Sequence, residues 1–159
     1  MCLFNKDKTL HTAETPIVCY KVVFKTLCEN EFASSIQGYI YELGKEHTLT
    51  EREYQSSSFN LGIGYKRCIG NFYAIYTGFH SFKRLCDAER EASYNPENYV
   101  ILKCVIPVGA RYWIGNEGKD YSPANAWHPG QYSEICSEKI EVTAWKKRGS
   151  NKWHYKKHK

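Results

Sequence analysis

The most informative part of the sequence is residues 77–115, which read TGFHSFKRLCDAEREASYNPENYVILKCVIPVGARYWIG. The Gly-Phe-His-Ser segment at 78–81 predicts a turn. The Ser81 hydroxyl is expected to accept a hydrogen bond from a free backbone N–H and so to cap a helix running to about Ala92. Apolar side chains recur on one face of residues 81–92 and charged ones on the other. This pattern predicts a helix that covers a sheet.

A strongly apolar segment follows the loop at Asn95-Pro96. Residues Tyr99–Ile106 are rich in β-branched and aromatic side chains, which favour a buried strand. Pro107-Val108-Gly109 predicts the end of this strand, and Arg111–Ile114 begins another.

The remaining chain contains several shorter runs of the same kind. Strands are predicted at Ile17–Phe24, Tyr39–Leu43, Phe72–Tyr76, Gln131–Ile135 and Lys139–Trp145, and Met1–Phe4 is a first strand or a packing plug. Loops are predicted at 45–64 and 115–130, and Gly62-Ile63-Gly64 is more typical of a turn than of a phosphate loop. Many short strands with one clear helix at about 81–92 predict an α+β fold, mainly antiparallel.

Length and composition limit the class of protein. With 159 residues and 42% hydrophobic side chains, the chain is long enough for one globular domain. No apolar run reaches the roughly 18 residues of a membrane span. The first residues lack the apolar core of a secretory signal, so a cytoplasmic location is expected.

Seven cysteines are spread along the chain without a Cys-x-x-Cys pair. Thiols within apolar runs behave as small hydrophobic groups, and reduced thiols suit a cytoplasmic protein. The alternative is a zinc site assembled from distant positions, although closed structural sites usually use closely spaced pairs. No metal site is therefore predicted.

The net charge of +5 is concentrated at the end of the chain. Residues 146–159 contain seven Lys or Arg and no acid, which leaves 15 basic and 17 acidic residues elsewhere. We therefore predict a globular domain at 1–145 followed by a basic, flexible tail at 146–159. The side chains expected to bind nucleic acid are Lys146, Lys147, Arg148, Lys152, Trp153, Lys156 and Lys157, since lysines neutralise phosphates and aromatic rings stack on bases. The alternatives are a solvated extension and a cloning remnant.

Five residues are candidates for binding or chemistry. His80 lies at the predicted turn, where a ligand could meet a helix N-terminus, or it packs there without a ligand. Glu134 is an acid in an apolar segment, suited to stabilising a cation or activating a hydroxyl, or an outward-facing strand residue. Tyr20 and Lys21 could contact a phosphate or a base. Glu138 competes with Glu134 for any catalytic role.

In outline the chain resembles the ADP-ribosyltransferase-like fold across residues 17–142. The matching features are the strand segment Val18-Cys19-Tyr20-Lys21, the Gly78-Phe79-His80-Ser81 segment before Asp87-Ala88-Glu89, the strand ending in Pro107-Val108-Gly109, and Ser133-Glu134-Ile135. Three features differ: Lys21 replaces an arginine, one serine remains of a Ser-Thr-Ser triplet, and Gln131 lies three residues before Glu134 instead of two.

The resemblance implies NAD as the cofactor and catalytic roles for Glu134 and His80. Tyr20, Lys21 and Ser81 would then bind the nucleotide, and Glu134 would orient a ribose hydroxyl and stabilise an oxocarbenium-like transition state. A catalytically degenerate nucleotide-binding domain is the other form of this hypothesis. The chain also resembles small uncharacterised bacterial and phage proteins with a GFHS or GFHA core motif. Those proteins have no assigned activity. The alternative function for this chain is a non-enzymatic phage or bacterial binding module that uses its basic tail on nucleic acid or an aromatic surface on a host protein.

Overall fold

The computed structural model describes residues 3–5, 9–34, 38–49, 66–69, 72–75, 78–94, 97–117 and 133–156. Within these ranges the chain forms short strands and one helix. The strands are β1 (Leu3–Asn5), β2 (His11–Thr12), β3 (Ile17–Lys25), β4 (Glu31–Ser34), β5 (Ile40–Glu42), β6 (Glu46–Thr48), β7 (Lys66–Ile69), β8 (Phe72–Ile75), β9 (Phe79–Phe82), β10 (Tyr99–Ile106), β11 (Arg111–Glu117), β12 (Ser133–Ser137), β13 (Lys139–Lys147) and β14 (His154–Tyr155), and the helix is α1 (Leu85–Ala92). The predicted α+β character with mainly antiparallel strands is confirmed.

The described strands form one sheet in which every pairing is antiparallel. Its order is β14-β13-β10-β3-β9-β12-β11-β1-β8-β7. Four short strands lie off this path: β2 pairs with β11, β4 joins β3 to β5, and β6 pairs with β13.

Strand β10 lies at the centre of the longest ladders. It pairs with β3 from Tyr99↔Phe24 to Ile106↔Ile17, and with β13 from Val100↔Lys147 to Val105↔Glu141. Its bounds agree with the predicted strand Tyr99–Ile106. Five of its eight residues are buried, and buried central strands read as nearly continuous apolar runs, which is why this segment was so clear in the sequence.

Two clusters of buried side chains cover the two faces of this central sheet. The larger cluster includes Cys19, Val23, Phe79 and Leu102, together with residues of β4, β5, β12 and β13. The smaller one joins Phe82 and Ile101 to Ala88 and Ala92 of α1, with Tyr20, Val22, Leu85, Tyr99 and Trp153 packed around it. Since side chains alternate along a strand, β3 contributes its odd-numbered residues to the first cluster and its even-numbered ones to the second.

The predicted turn at 78–81 and its helix cap are wrong. Phe79–Phe82 form strand β9, buried throughout and paired with β12 along its length. The helix begins at Leu85, and the N-cap position is Arg84, which makes no side-chain cap hydrogen bond. Pairing with β12 keeps Ser81 out of the helix, since the ladder satisfies backbone groups that a cap would otherwise serve.

The C-terminal segment continues the sheet. Lys146 and Lys147 are the last residues of β13, so the predicted boundary at 146 falls inside a strand, and β14 pairs with β13 at Ala144↔Tyr155 and Trp145↔His154. The strands β2, β4, β6, β7 and β14 were not predicted. Gly62-Ile63-Gly64 lies outside the described residues. Among the residues described, none of the helical sequence is long and apolar enough to cross a bilayer.

Candidate ligand site at the junction of three strands

The predicted site residues meet where β3, β9 and β12 come together. Between β3 and β9 the backbone pairing is the single rung Tyr20↔Phe82. Strand β9 then pairs with β12 from Phe82↔Glu134 to Phe79↔Ser137. The register therefore brings Tyr20, Lys21, His80, Ser81 and Glu134 within about two rungs of one another.

These five residues divide between the two faces of the sheet. His80 is opposite Cys136, which is two residues from Glu134, so the His80 and Glu134 side chains project from one face. Tyr20, opposite Phe82, shares that face. Ser81 and Lys21 project from the other face, towards the larger cluster. The polar atoms of the His80, Ser81 and Glu134 side chains are all removed from solvent.

The Lys21 ammonium group links β3 and β9 at the point where the two strands separate. Its Nζ atom donates a hydrogen bond to the backbone oxygen of His80 at 2.6 Å and lies 5.3 Å from the centre of the Tyr41 ring. Because β3 and β9 are paired at one rung, the ammonium supplies a donor where the ladder is interrupted. Burial lowers the pKa of Lys21, and the nearby acidic groups of Cys104, Cys136, Cys19 and Glu134 oppose this shift.

Three buried cysteines lie near the lysine. Cys19 and Cys104 are opposite each other on β3 and β10, and Cys136 lies on β12. Burial raises the pKa of Cys19 to about 12, although the Ser81 hydroxyl and the Lys21 ammonium act in the opposite direction. Burial also raises the pKa of the Cys104 and Cys136 thiols. A thiol that stays protonated at neutral pH is a poor nucleophile, so these cysteines are suited to packing.

An aromatic cluster lies beyond Lys21. Phe79 at the start of β9 meets the rings of Tyr39 and Tyr41 at centroid distances of 5.4 and 6.0 Å. His47 stands edge-on to both tyrosines. Its Nε2 atom accepts the backbone N–H of Glu42 at 3.1 Å, and its Nδ1 atom lies 3.3 Å from the Tyr39 hydroxyl. Burial lowers the pKa of His47, so the neutral imidazole is favoured.

Asp87 supports the junction, and sequence reasoning did not single it out. Its buried carboxylate accepts two hydrogen bonds from Arg84, at 2.7 and 2.9 Å, and one from the backbone N–H of Ser133 at 3.4 Å. Asp87 thereby ties the first turn of α1 to the residue before Glu134. The Arg-x-x-Asp spacing on a helix was the available signal.

Glu138 and Lys146, two further predicted functional residues, are paired with charged side chains of the protein. Glu138 accepts hydrogen bonds from the Arg111 guanidinium at 2.7 and 2.9 Å and from its backbone N–H at 3.0 Å, away from the junction. Lys146 is 4% exposed and forms an ion pair with Glu89. The prediction that Lys146 contacts phosphate is therefore wrong, because its charge is already neutralised inside the protein.

The other predicted nucleic-acid residues lie around the β13–β14 hairpin. Lys147, Arg148, Lys152 and Lys156 are exposed, whereas Trp153 is half-buried against the Tyr20 ring at a centroid distance of 6.3 Å. Lys157 lies outside the described residues.

Across the part of the chain that the structure describes, no group of three or more His, Cys, Asp or Glu side chains is placed to hold a metal ion. Comparison with models of known families, with curated proteins and with solved structures gives no match.

Proposed function

We propose that the protein is a nucleotide-binding domain of ADP-ribosyltransferase-like type, with NAD as the leading candidate ligand and the β3–β9–β12 junction as its site. One observation carries the proposal: the His80 and Glu134 side chains share a face of neighbouring strands. A site that uses an imidazole and a carboxylate together needs this arrangement, which opposite faces would have excluded.

The burial of these groups supports a role beyond stability. Glu134 is completely buried and His80 nearly so, on strands inside the sheet. Burying a carboxylate or an imidazole disfavours folding compared with an apolar side chain of similar size. Polar groups kept at such positions are enriched at functional sites.

The side chains on this face suit a nucleotide. A carboxylate can accept hydrogen bonds from ribose hydroxyls, an imidazole can donate or accept one, and the Tyr20 ring offers a flat apolar surface. NAD would supply a glycosidic bond, and the Glu134 carboxylate would stabilise positive charge that develops on the ribose as the bond breaks. Lys21 and Ser81 take no direct part in this proposal, since both project from the other face.

Ligand contact with Glu134 requires the junction to open, because the carboxylate has no contact with solvent. The single rung between β3 and β9 is the place where opening breaks the fewest backbone pairs. Association slower than diffusion is therefore expected.

Calorimetric titration of the full chain with NAD tests the proposal. Saturable binding is expected, weakened about tenfold or more in both Glu134→Gln and His80→Ala, since one hydrogen bond to a charged group contributes about 1.5–3 kcal/mol. Glu46→Gln is the matched control, because Glu46 is an exposed strand carboxylate on β6 and should leave binding unchanged. Absence of NAD binding by the wild-type chain, or equal binding by all variants, would refute the proposal.

A second measurement separates an active enzyme from a degenerate one. Release of nicotinamide from bound NAD, abolished in Glu134→Gln, indicates catalysis. Binding without release indicates the degenerate form.

A further inference from the structure

A line of four side chains crosses the face of the sheet that carries α1. Tyr20 of β3 is opposite Lys103 of β10, Lys103 is opposite Ala144 of β13, and Ala144 is opposite Tyr155 of β14. Directly opposed residues of antiparallel strands project from the same face. Neighbouring strands lie about 4.8 Å apart, so Tyr20 and Tyr155 are separated by roughly 14 Å.

Helix α1 covers one end of this face, where Tyr20 packs against its cluster, and Ala144 is buried, so the row is accessible only in part. The helix packs over Phe82 and Ile101, with Val22 and Tyr99 beside them. In the row, Tyr155 is 60% exposed, and Tyr20 and Lys103 are half-buried. Val18, two residues before Tyr20 on β3, is 44% exposed. The uncovered part of the face therefore presents aromatic and aliphatic groups around a lysine.

Trp153 adds a further large ring to this surface. It lies beside Tyr20 at a centroid distance of 6.3 Å and is half-buried. The chain thus places three aromatic side chains, from β3 and from the C-terminal hairpin, on one face. Their planar surfaces are suited to stacking.

The charge around the row is mainly positive. Lys103 stands within it, and Arg148 and Lys152 are exposed in the turn between β13 and β14. An exposed acid on this face is Glu141, opposite Val105. The Glu89 carboxylate is paired with the Lys146 ammonium, so this ion pair adds no net negative charge.

We propose that this surface binds single-stranded nucleic acid, with bases stacked on Tyr155 and on the Tyr20–Trp153 pair and phosphates held by Lys103 and the hairpin cations. Aromatic rings interleaved with cations on an open surface are the arrangement that binds single strands without strong sequence preference. A duplex keeps its bases stacked on one another, so the rings would have no partners there. The charge complementarity favours a polyanion over an apolar protein partner.

Fluorescence anisotropy with labelled oligonucleotides of about twelve nucleotides tests the proposal on the full chain, using oligo-U RNA, oligo-dT DNA and a duplex of equal length. Both single strands are expected to bind, and the duplex more weakly. Tyr155→Ala should weaken binding about tenfold, whereas Tyr155→Phe, which keeps the ring, should bind as the wild type does.

The salt dependence of binding tests the contribution of the cationic side chains. Lys103→Gln should reduce the slope of log affinity against log salt by about 0.7, the share of one phosphate contact on a single strand. The matched controls are Tyr94→Ala, which removes a 54% exposed ring beyond α1, and Lys45→Gln, which removes an exposed cation outside the row. Both controls should bind normally.

Three results would overturn the proposal: no single-strand binding at about 50 mM salt, tighter binding of the duplex, or equal loss in Tyr155→Ala and Tyr94→Ala. Thermal unfolding of each variant distinguishes lost binding from lost fold. The test does not use Tyr20, which borders the junction, so its outcome is independent of NAD binding.

Discussion

Gly78 stands immediately before β9, and replacing it with alanine tests the packing of the whole junction. Its backbone φ is +137°, and an added Cβ would overlap the Cys136 Sγ atom and lie 3.3 Å from the Ser137 carbonyl oxygen. The strained backbone costs about 1–3 kcal/mol, and overpacking a buried site costs a similar amount. We expect Gly78→Ala to lower the free energy of unfolding by about 4 kcal/mol.

A double-mutant cycle separates the two contributions. Cys136→Ala alone removes one buried sulfur atom and should cost about 1 kcal/mol. It also removes the atom nearest to the new methyl group, so the double variant should be more stable than the sum of the single effects by about 2 kcal/mol. Gly109→Ala is the matched control, since its φ is +81° but nothing lies within 4 Å of the added Cβ. It should cost only about 1–2 kcal/mol.

Urea unfolding of the four proteins and the control measures all of these values. If Gly78→Ala cost no more than Gly109→Ala, or if the two single effects simply added, the contact between residue 78 and Cys136 would not be as tight as the structure has it.

Three further predictions concern charged and titrating groups. Glu89→Gln should lower the free energy of unfolding by about 2 kcal/mol in urea, because it leaves the buried Lys146 ammonium without its charged acceptor. The pKa of His47 is lower in the folded protein than in the unfolded chain, so the unfolded chain binds a proton first as pH falls below about 6.5. The free energy of unfolding should therefore decrease as pH falls through that window. His47→Gln should make this decrease smaller. Burial raises the pKa of Glu138, but the hydrogen bonds from Arg111 outweigh this effect, so the folded-state pKa is lowered. The carboxylate should therefore stabilise the fold above about pH 4.5, and this contribution should decline as pH falls through the lower folded-state pKa. Glu138→Gln should diminish that decline.

Each of these predictions has a control. The Lys45–Glu42 pair is exposed on both sides, and Glu42→Gln should therefore change the free energy of unfolding far less than Glu89→Gln does. A loss as large as that of Glu89→Gln would contradict the role of burial. For the imidazole, His154→Gln supplies the comparison, and an equal change in pH dependence would remove the assignment to His47. For Glu138, Arg111→Gln should reproduce the loss of acid sensitivity, and an unaltered profile would count against the pair.

The central strands could be predicted from sequence because their environment is uniform. Tyr99–Ile106 is apolar at every position but Lys103, because the larger cluster covers one face and α1 covers the other around Ile101. Phe79–Phe82 could not be recognised in the same way. It is four residues long, contains a histidine and a serine, and precedes a helix, so local pattern favoured a cap. Pairing with β12, more than fifty residues later, decided the outcome.

For the candidate site, the sequence indicated individual residues but not their geometry. Tyr20, Lys21, His80, Ser81 and Glu134 do meet, but which of them share a face depends on the register Tyr20↔Phe82, and a shift of one residue would exchange the faces. Composition misassigned Lys146 for a similar reason. The sequence shows that the run is basic but not which lysine is paired inside the fold, because the partner Glu89 lies 57 residues earlier in the chain.

The single rung between β3 and β9 also determines where the native protein should open transiently. With few backbone hydrogen bonds across it, this line is held by α1, whose Ala88 and Ala92 pack on Phe82 of one strand and Ile101 beyond the other. Helix α1 thus holds β3 and β9 together, and its detachment would release both strands at once. Amide protons of α1 and of β9 should consequently exchange with solvent deuterium as one cooperative unit, earlier than those of β10, which require the whole sheet to unfold.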